Sequence, residues 1–263
     1  MASIIGLYPI GTTSVDFLDD LSSGKAQLLT GFGTRLNIST AATGDDIWTG
    51  TAAVIPIPPD AGEQMTLVST SDEDGAAGKT GALTVMIHYL NASGLPTVET
   101  VTMNGKTPVN TVATNIRFVQ EIHVKTAGSN LLAVGTITIY KLGSASTIYN
   151  QILPQTNISL NTARMVPSNK ICLIWTFNSS AGGGKAADIR LRVTSHEGIL
   201  YPKIFIFKDN MMMLDNANAR IYRTPRVIPP LGIIKITAFA VSAVGGANVQ
   251  GSWEGILIDV PSA

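Results

Sequence analysis

The sequence is poor in charge, in aromatic rings and in cysteine. Of its 263 residues, 14% are charged and 6% are aromatic, and Cys172 is the one cysteine. A single cysteine excludes an internal disulfide. Set within the apolar run "KICLIW", it reads as a small buried hydrophobe. Soluble domains commonly carry about 25% charged residues. A chain this weakly charged, with 45% hydrophobic residues, is prone to associate, and partners are expected to cover much of its surface. Lys and Arg number 18 and so do Asp and Glu, which makes the net charge zero. Nucleic-acid binding without sequence preference needs a basic surface, and the chain as a whole lacks one. No apolar run approaches the ~20 residues of a membrane-spanning helix. The opening "MASIIGLYPIGTTSVDFLDD" has neither the basic start nor the apolar run of a secretory signal. The expectation is a soluble chain made in a cytoplasm, with no nucleic-acid partner and no membrane partner.

Motifs that carry chemistry are also scarce. The three histidines, His88, His123 and His196, fall in separate segments, with no spacing that suits zinc. No G-x-S-x-G elbow or other local nucleophile signature is present. One stretch, "SDEDGAAGKTGALTVMIHY" (71–89), contains the Gly78-Lys79-Thr80 ending of a phosphate-binding loop. That loop needs glycine five positions before Gly78, and Glu73 stands there. It also needs a helix after the lysine, to point N–H groups at the phosphates. Here the following residues alternate apolar and polar, as a strand does. The acidic run Asp72-Glu73-Asp74 could offer oxygens to calcium, but the EF-hand pattern is absent and acidic loop tips are commonly just solvated. Trp48, Trp175 and Trp253 could form a sugar platform, but Trp175 and Trp253 lie in strand-like runs and read as core. The reading is a non-enzymatic protein with no cofactor, no metal and no small-molecule substrate.

What is abundant is strand signal. "MTLVST" (65–70), "ALTVMIHYL" (82–90), "VETVTM" (98–103), "TITIY" (136–140), "ICLIWTF" (171–177), "DIRLRV" (188–193), "KIFIF" (203–207), "GIIKITAFAV" (232–241) and "GILIDV" (255–260) are short and rich in Val, Ile and Thr. Gly, Asn, Asp, Pro and Ser clusters separate them. Only "VDFLDDLSSG" (15–24) has helical spacing, with Val15, Leu18 and Leu21 on one face and Gly24 as a stop. The fold class is all-β, with at most one short helix.

The chain also resembles itself. At a constant offset of 106 residues, Lys79 falls on Lys185, Leu67 on Leu173, Leu83 on Ile189, Val85 on Leu191 and Ile87 on Val193. Farther on, "VGTITIY" resembles "EGILIDV" at a larger offset. Each unit has the size of a β-sandwich, about 100 residues. The expected plan is two tandem antiparallel, jelly-roll-like β-sandwich domains at 46–142 and 160–263, joined by a linker at 143–159. An extended N-terminal arm at 1–45 precedes them, carrying too many apolar residues for a disordered tail.

Two regions are expected to meet partners. In the arm, Ile4, Ile5, Leu7 and Tyr8 are the candidate contacts. In "KDNMMMLDNANARIYRTP" and the residues after it, the candidates are Met211, Met212, Met213, Tyr222, Arg223 and Arg226. Methionine adapts to irregular binding faces, and Arg and Tyr are enriched at interfaces.

The two units, "GEQMTLVSTSDEDGAAGKTGALTVMIHY" with "ETVTMNGKTPV" and a closing "GTITIY", and "VPSNKICLIW" with "GGGKAADIRLRV" and "RTPRVIPPLGIIKITAFAV", resemble structural proteins of tailed-bacteriophage particles of the marine and cyanobacterial type. The resemblance spans roughly residues 46–260, and its motifs are structural rather than catalytic. It implies β-sandwich modules that pack on a capsid, neck or tail, most like a capsid decoration (cement) protein. It further implies a homo-oligomer, with a trimer favoured, bound to a major capsid protein on the capsid exterior after synthesis in the host cytoplasm. A tail, neck or baseplate subunit and a host-glycan-recognition module are the alternatives. The resemblance carries over no functional residues.

Overall fold

The computed structural model describes residues 22, 26–241 and 246–260. In chain order its strands are β1 (Ala26–Arg35), β2 (Asp45–Asp46), β3 (Met65–Ser69), β4 (Ala82–Asn91), β5 (Pro96–Thr102), β6 (Val109–Asn110), β7 (Ile116–Ala127), β8 (Ile137–Lys141) and β9 (Ser144–Ile152). They continue as β10 (Arg164–Met165), β11 (Lys170–Gly182), β12 (Ala186–Val193), β13 (Ser195–His196), β14 (Ile199–Leu200), β15 (Ile206–Leu214), β16 (Ala217–Ile228), β17 (Ile233–Ala240) and β18 (Asn248–Asp259). The protein is all-β, built from antiparallel sheets. The helix expected over 15–24 lies outside the described residues apart from Ser22, which is helical.

Four of the sheets form two layer pairs. The larger pair has strand orders β1-β18-β11-β16 and β10-β17-β12-β15, with β2 also on β17. The smaller has orders β6-β3-β8-β9 and β5-β4-β7. Alternation fixes which face is dry. In β12, Ile189, Leu191 and Val193 point inward, while Asp188, Arg190 and Arg192 point out. They meet Phe177 and Trp253 from the opposite sheet in one buried cluster. In the smaller pair, Leu67, Ile137 and Ile139 meet Val85, Ile87 and Ile122 in the same way.

The two pairs share a wiring. Replacing β11, β12, β15, β16, β17 and β18 by β3, β4, β5, β6, β7 and β8 turns one set of strand orders into the other. The place of β1 beside β18 is taken by β9 beside β8. The offset of 106 holds across the second strand of each unit, where Val85 and Ile87 match Leu191 and Val193 as core residues. It fails in the first. A bulge between Ile174 and Thr176 shifts β11 by one residue, so Leu173 faces the outer side of its sheet while Leu67 faces the core.

The units are nested rather than tandem. β2 pairs with Thr237 and Ala238, and β10 pairs with Ile234 and Ile233, on one edge of β17. Between them the Ile47 N–H donates to the Ile236 carbonyl (2.9 Å), and the Ile236 N–H donates to Thr162 Oγ1 (3.2 Å). One strand position of the larger pair is thus supplied by two pieces of chain, and the smaller pair is spliced between them.

This corrects three expected boundaries. The 1–45 arm does not extend that far, because β1 pairs along its whole length with β18. The glycines that suggest a loose arm are needed for close packing instead. A Cβ on Gly33 would overlap the Ile47 carbonyl, and one on Gly31 would overlap the Trp253 ring and the Thr162 carbonyl. The linker expected at 143–159 contains β9, whose Tyr149 and Ile152 are buried in the smaller core. The larger unit does not begin at 160, since it also owns β1 and β2.

The two units also share a buried cluster. Leu90 and Phe118 from the smaller pair meet Met165 and Ile233 from the larger, with Trp48 and Ile55 between. Gln120 and the Met165 backbone exchange two hydrogen bonds, of 2.5 and 3.1 Å. Arg164 lies 3.5 Å from Glu121, and burial pulls its guanidinium down to about 10.

Deleting residues 1–45 removes β1 and the first residue of β2 and exposes the edge of β18. We expect the truncated chain to lose its cooperative thermal transition, as followed by circular dichroism. A truncated chain that melts like the full-length protein would refute this role for β1.

Candidate protein interface

β15 and β16 are consecutive strands, and each lies at the outer edge of its own sheet. They are joined by a tight turn in which Asp215 adopts a left-handed backbone conformation (φ 45°). An edge strand carries unpaired N–H and C=O groups along one side and is a natural docking line. Of the residues of β16, Tyr222 and Ile228 alone are buried. Across the two strands Phe207, Met212, Leu214, Ile221 and Val227 are exposed, Ile221 to 77%. Arg223 and Arg226 stand exposed beside them. The exposed apolar side chains fall on two sheets, Phe207, Met212 and Leu214 on β15 and Ile221 and Val227 on β16, and with the arginines they have the composition of protein contacts.

The structure divides the expected interface residues. Met212 is exposed, but Met211 and Met213 turn the other way and belong to the larger core. That follows from strand alternation, and it removes both from reach of a partner. Met211 sulfur accepts a hydrogen bond from the Ser179 hydroxyl (3.2 Å). Tyr222 is likewise buried, so it too is corrected from contact residue to core residue. Its hydroxyl donates to Asp209 Oδ2 (2.9 Å), and Arg220 pairs with Oδ1 of the same carboxylate. Burial first, and then the Asp209 hydrogen bond, raises the Tyr222 hydroxyl above the ordinary phenol range. Arg226 lies over the Tyr222 ring, 4.8 Å from its centroid. It keeps its charge outside while covering a core side chain. Ile4, Ile5, Leu7 and Tyr8 lie outside the described residues. Leu214 and Ile221 were not anticipated. Leu214 could have been found by carrying the alternation of "MMML" two positions past Met212.

The acidic glycine-rich stretch is an internal clamp. Asp74 is fully buried. Its carboxylate accepts from Ser69 Oγ (2.6 Å) and from the N–H groups of Ala82 (2.8 Å), Val134 (2.9 Å) and Gly135 (2.7 Å). Glu73 accepts from the N–H and the hydroxyl of Thr80, at 3.2 and 3.0 Å, and lies 3.8 Å from Lys79. The Thr80 bonds, then Lys79, hold the Glu73 carboxyl below its usual range. Asp72 pairs with Lys106 at 3.0 Å, and that contact lowers its carboxyl. Donors that a phosphate would need are thus spent on the protein's own carboxylates. Trp48 and Trp253 are fully buried, with their indole N–H groups donating to the Ala52 and Thr162 carbonyls. Neither can stack on a sugar. Among the described residues, no three His, Cys, Asp or Glu side chains are grouped to hold a metal ion.

Asp74→Ala would leave three backbone N–H groups without their acceptor. Each such group costs about 1–3 kcal/mol. We expect a loss of about 3 kcal/mol or more in urea unfolding. A loss below 1 kcal/mol would show that water replaces the carboxylate.

No protein-family model matches this sequence, and no curated protein matches it. Among solved structures, the chain is similar to the infectious bursal disease virus Gt strain structure at 9% identity and a TM-score of 0.25, over 89% of this chain and 73% of that one. It is similar to the VP2 subviral particle of infectious bursal disease virus at 10% identity and a TM-score of 0.24, over 89% and 72%. It is similar to the Gx strain structure at 9% identity and a TM-score of 0.26, over 91% and 73%.

Proposed function

We propose that this chain is a non-enzymatic structural subunit of a tailed-bacteriophage particle, of the kind that decorates and cements the capsid. The observation that supports it most is the strand order of the larger layer pair. Count the β2/β10 position as one strand, and the eight main strands run β1, β2/β10, β11, β12, β15, β16, β17, β18. The first pairs with the last, the second with the seventh, the third with the sixth and the fourth with the fifth. A long hairpin folded over on itself gives this nesting, and it is the jelly roll used by viral capsid and lectin domains. The smaller pair, with six of its seven strands in the same order, is read as a second jelly-roll-like β-sandwich derived by duplication.

In this reading the β15–β16 edge is the contact face. Met212, Leu214 and Ile221 supply apolar area, and Arg223 and Arg226 reach acidic groups on a neighbour. The partners are further copies of the chain, as a trimer, and the major capsid protein on the capsid exterior. Moderate contacts repeated by symmetry hold a shell under internal pressure. Tail, neck or baseplate placement uses the same contacts with fewer copies.

A second reading rests on one feature. The outer face of the β1-β18-β11-β16 sheet holds a groove of about 360 Å³ lined by Phe32, Asn178, Ser180, Gln250 and Ser252. An exposed ring beside neutral amides and hydroxyls suits a neutral glycan, which would make the chain a host-recognition module.

The test is cosedimentation with capsids that lack the protein. Wild type is expected to bind, and Met212→Asp with Arg223→Glu is expected to bind at least tenfold more weakly with an unchanged melting temperature. Copy number per particle, by mass spectrometry, separates the sites: hundreds of copies fit decoration, and six to a few dozen would overturn it in favour of tail or neck.

A further inference from the structure

We propose that Asp46 and Lys235 condense to an isopeptide bond, a covalent staple between β2 and β17. The two side chains lie on the outer face of the sheet, under the chain that leaves for the smaller unit. Lys235 Nζ is 2.8 Å from Asp46 Oδ2. Asp46 is 0% exposed and Lys235 is 4% exposed. The Phe205 ring lies 4.1 Å from Nζ and closes the site on that side.

The surroundings suit amide formation. A buried ion pair keeps two charges away from water at a large desolvation cost. Condensation removes both charges and releases one water, so the dry site favours the neutral product. The Thr237 hydroxyl donates to Oδ1 (2.8 Å), and the Ile55 N–H donates to Oδ2 (2.9 Å). Each carboxylate oxygen therefore has its own donor. Burial lowers the Lys235 ammonium below its ordinary value against the opposing pull of the Asp46 carboxylate, and Arg192 adds to the lowering, which favours the nucleophilic amine.

The step balances without a co-reactant. The ammonium gives one proton to Oδ2, the oxygen it contacts, leaving a neutral amine and a neutral acid. The nitrogen lone pair attacks Asp46 Cγ, and the C–N bond forms. Negative charge gathering on Oδ1 is met by the Thr237 hydroxyl, as in an oxyanion hole. The C–Oδ2 bond then breaks. Oδ2 leaves as water, taking a second proton from the attacking nitrogen. Nothing is oxidised or reduced. The contact already brings nitrogen and carboxylate together, which is the entropic part of such a barrier.

Intact mass of the denatured full-length chain tests this directly. The expected value is one water below the sequence mass. A proteolytic digest is expected to yield a branched peptide joining the segments that carry Asp46 and Lys235. Lys235→Arg and Asp46→Ala are each expected to restore the full mass, and the readout does not require either variant to fold. A wild-type chain at full sequence mass overturns the proposal. So does a water loss that persists in Lys235→Arg, because it places the dehydration elsewhere, as in an imide at Asp74-Gly75.

Discussion

The outer edge of β17 is the constraint on which the larger unit depends. A buried backbone edge must find partners for its N–H and C=O groups. No single neighbouring strand supplies them. β2 covers Thr237 and Ala238, β10 covers Ile233 and Ile234, and the Thr162 hydroxyl serves the Ile236 N–H between them. The break in this strand is where the smaller unit enters and leaves. The outgoing chain is tied at Asp46, which holds Lys235, Thr237 and the Ile55 N–H at once. The returning chain is tied by Gln120 to Met165 and by Arg164 to Glu121. Both ties lie beside the shared cluster of Trp48, Leu90, Phe118 and Ile233. The insertion is thus fixed to the edge it completes, and its own core can form without disturbing the host sheet.

Strands buried on one face were legible because alternation marks them. β3, β4, β8, β11, β12, β17 and β18 all fall on runs with clear apolar periodicity. β1, β7, β9 and β16 were missed, each for a definite reason, which in β7 is a bulge at Gln120 that breaks its alternation. β1 contains Gly31 and Gly33, which resemble a flexible tail but are places where another backbone comes within van der Waals overlap of any side chain. β9 opens with polar residues, and its buried residues, Tyr149 to Ile152, come only at its end. β16 is exposed on both faces and contains Pro225, which argues against a central strand and is tolerated at an edge. Nesting could not be read at all. Pairing between β1 and β18 joins the two ends of the chain, and no local pattern reports it.

The expected contact residues of the methionine run divide between core and surface. The methionine run drew attention to 211–213, but the strand it forms turns two of the three inward. Composition located the element, and periodicity decided which side chains are free. The same correction applies to Tyr222. Its place against the Asp209 carboxylate, which the half-exposed Arg220 also pairs, with Arg226 over its ring, links β16 to β15. The offset of 106 matches core residues in the second strand of each unit and is broken in the first by the single-residue bulge near Trp175.

The geometry of β16 also limits how a partner can dock there. Four residues, Tyr222 to Pro225, lie opposite Trp175 alone, because the register jumps from Ile174–Arg226 to Thr176–Ile221. The bulge and the proline interrupt the row of edge N–H groups, so an added strand could not pair along the whole edge. The opposite flank of the β17 sheet is already covered by β2, β10 and the inserted unit. Strand addition is therefore blocked beside β17 and interrupted along β16. Met212, Leu214, Ile221 and the flanking arginines stay open to side-chain contact. Contacts of that kind depend on the shape of the surface they meet, whereas an unbroken row of edge N–H and C=O groups can pair with any strand.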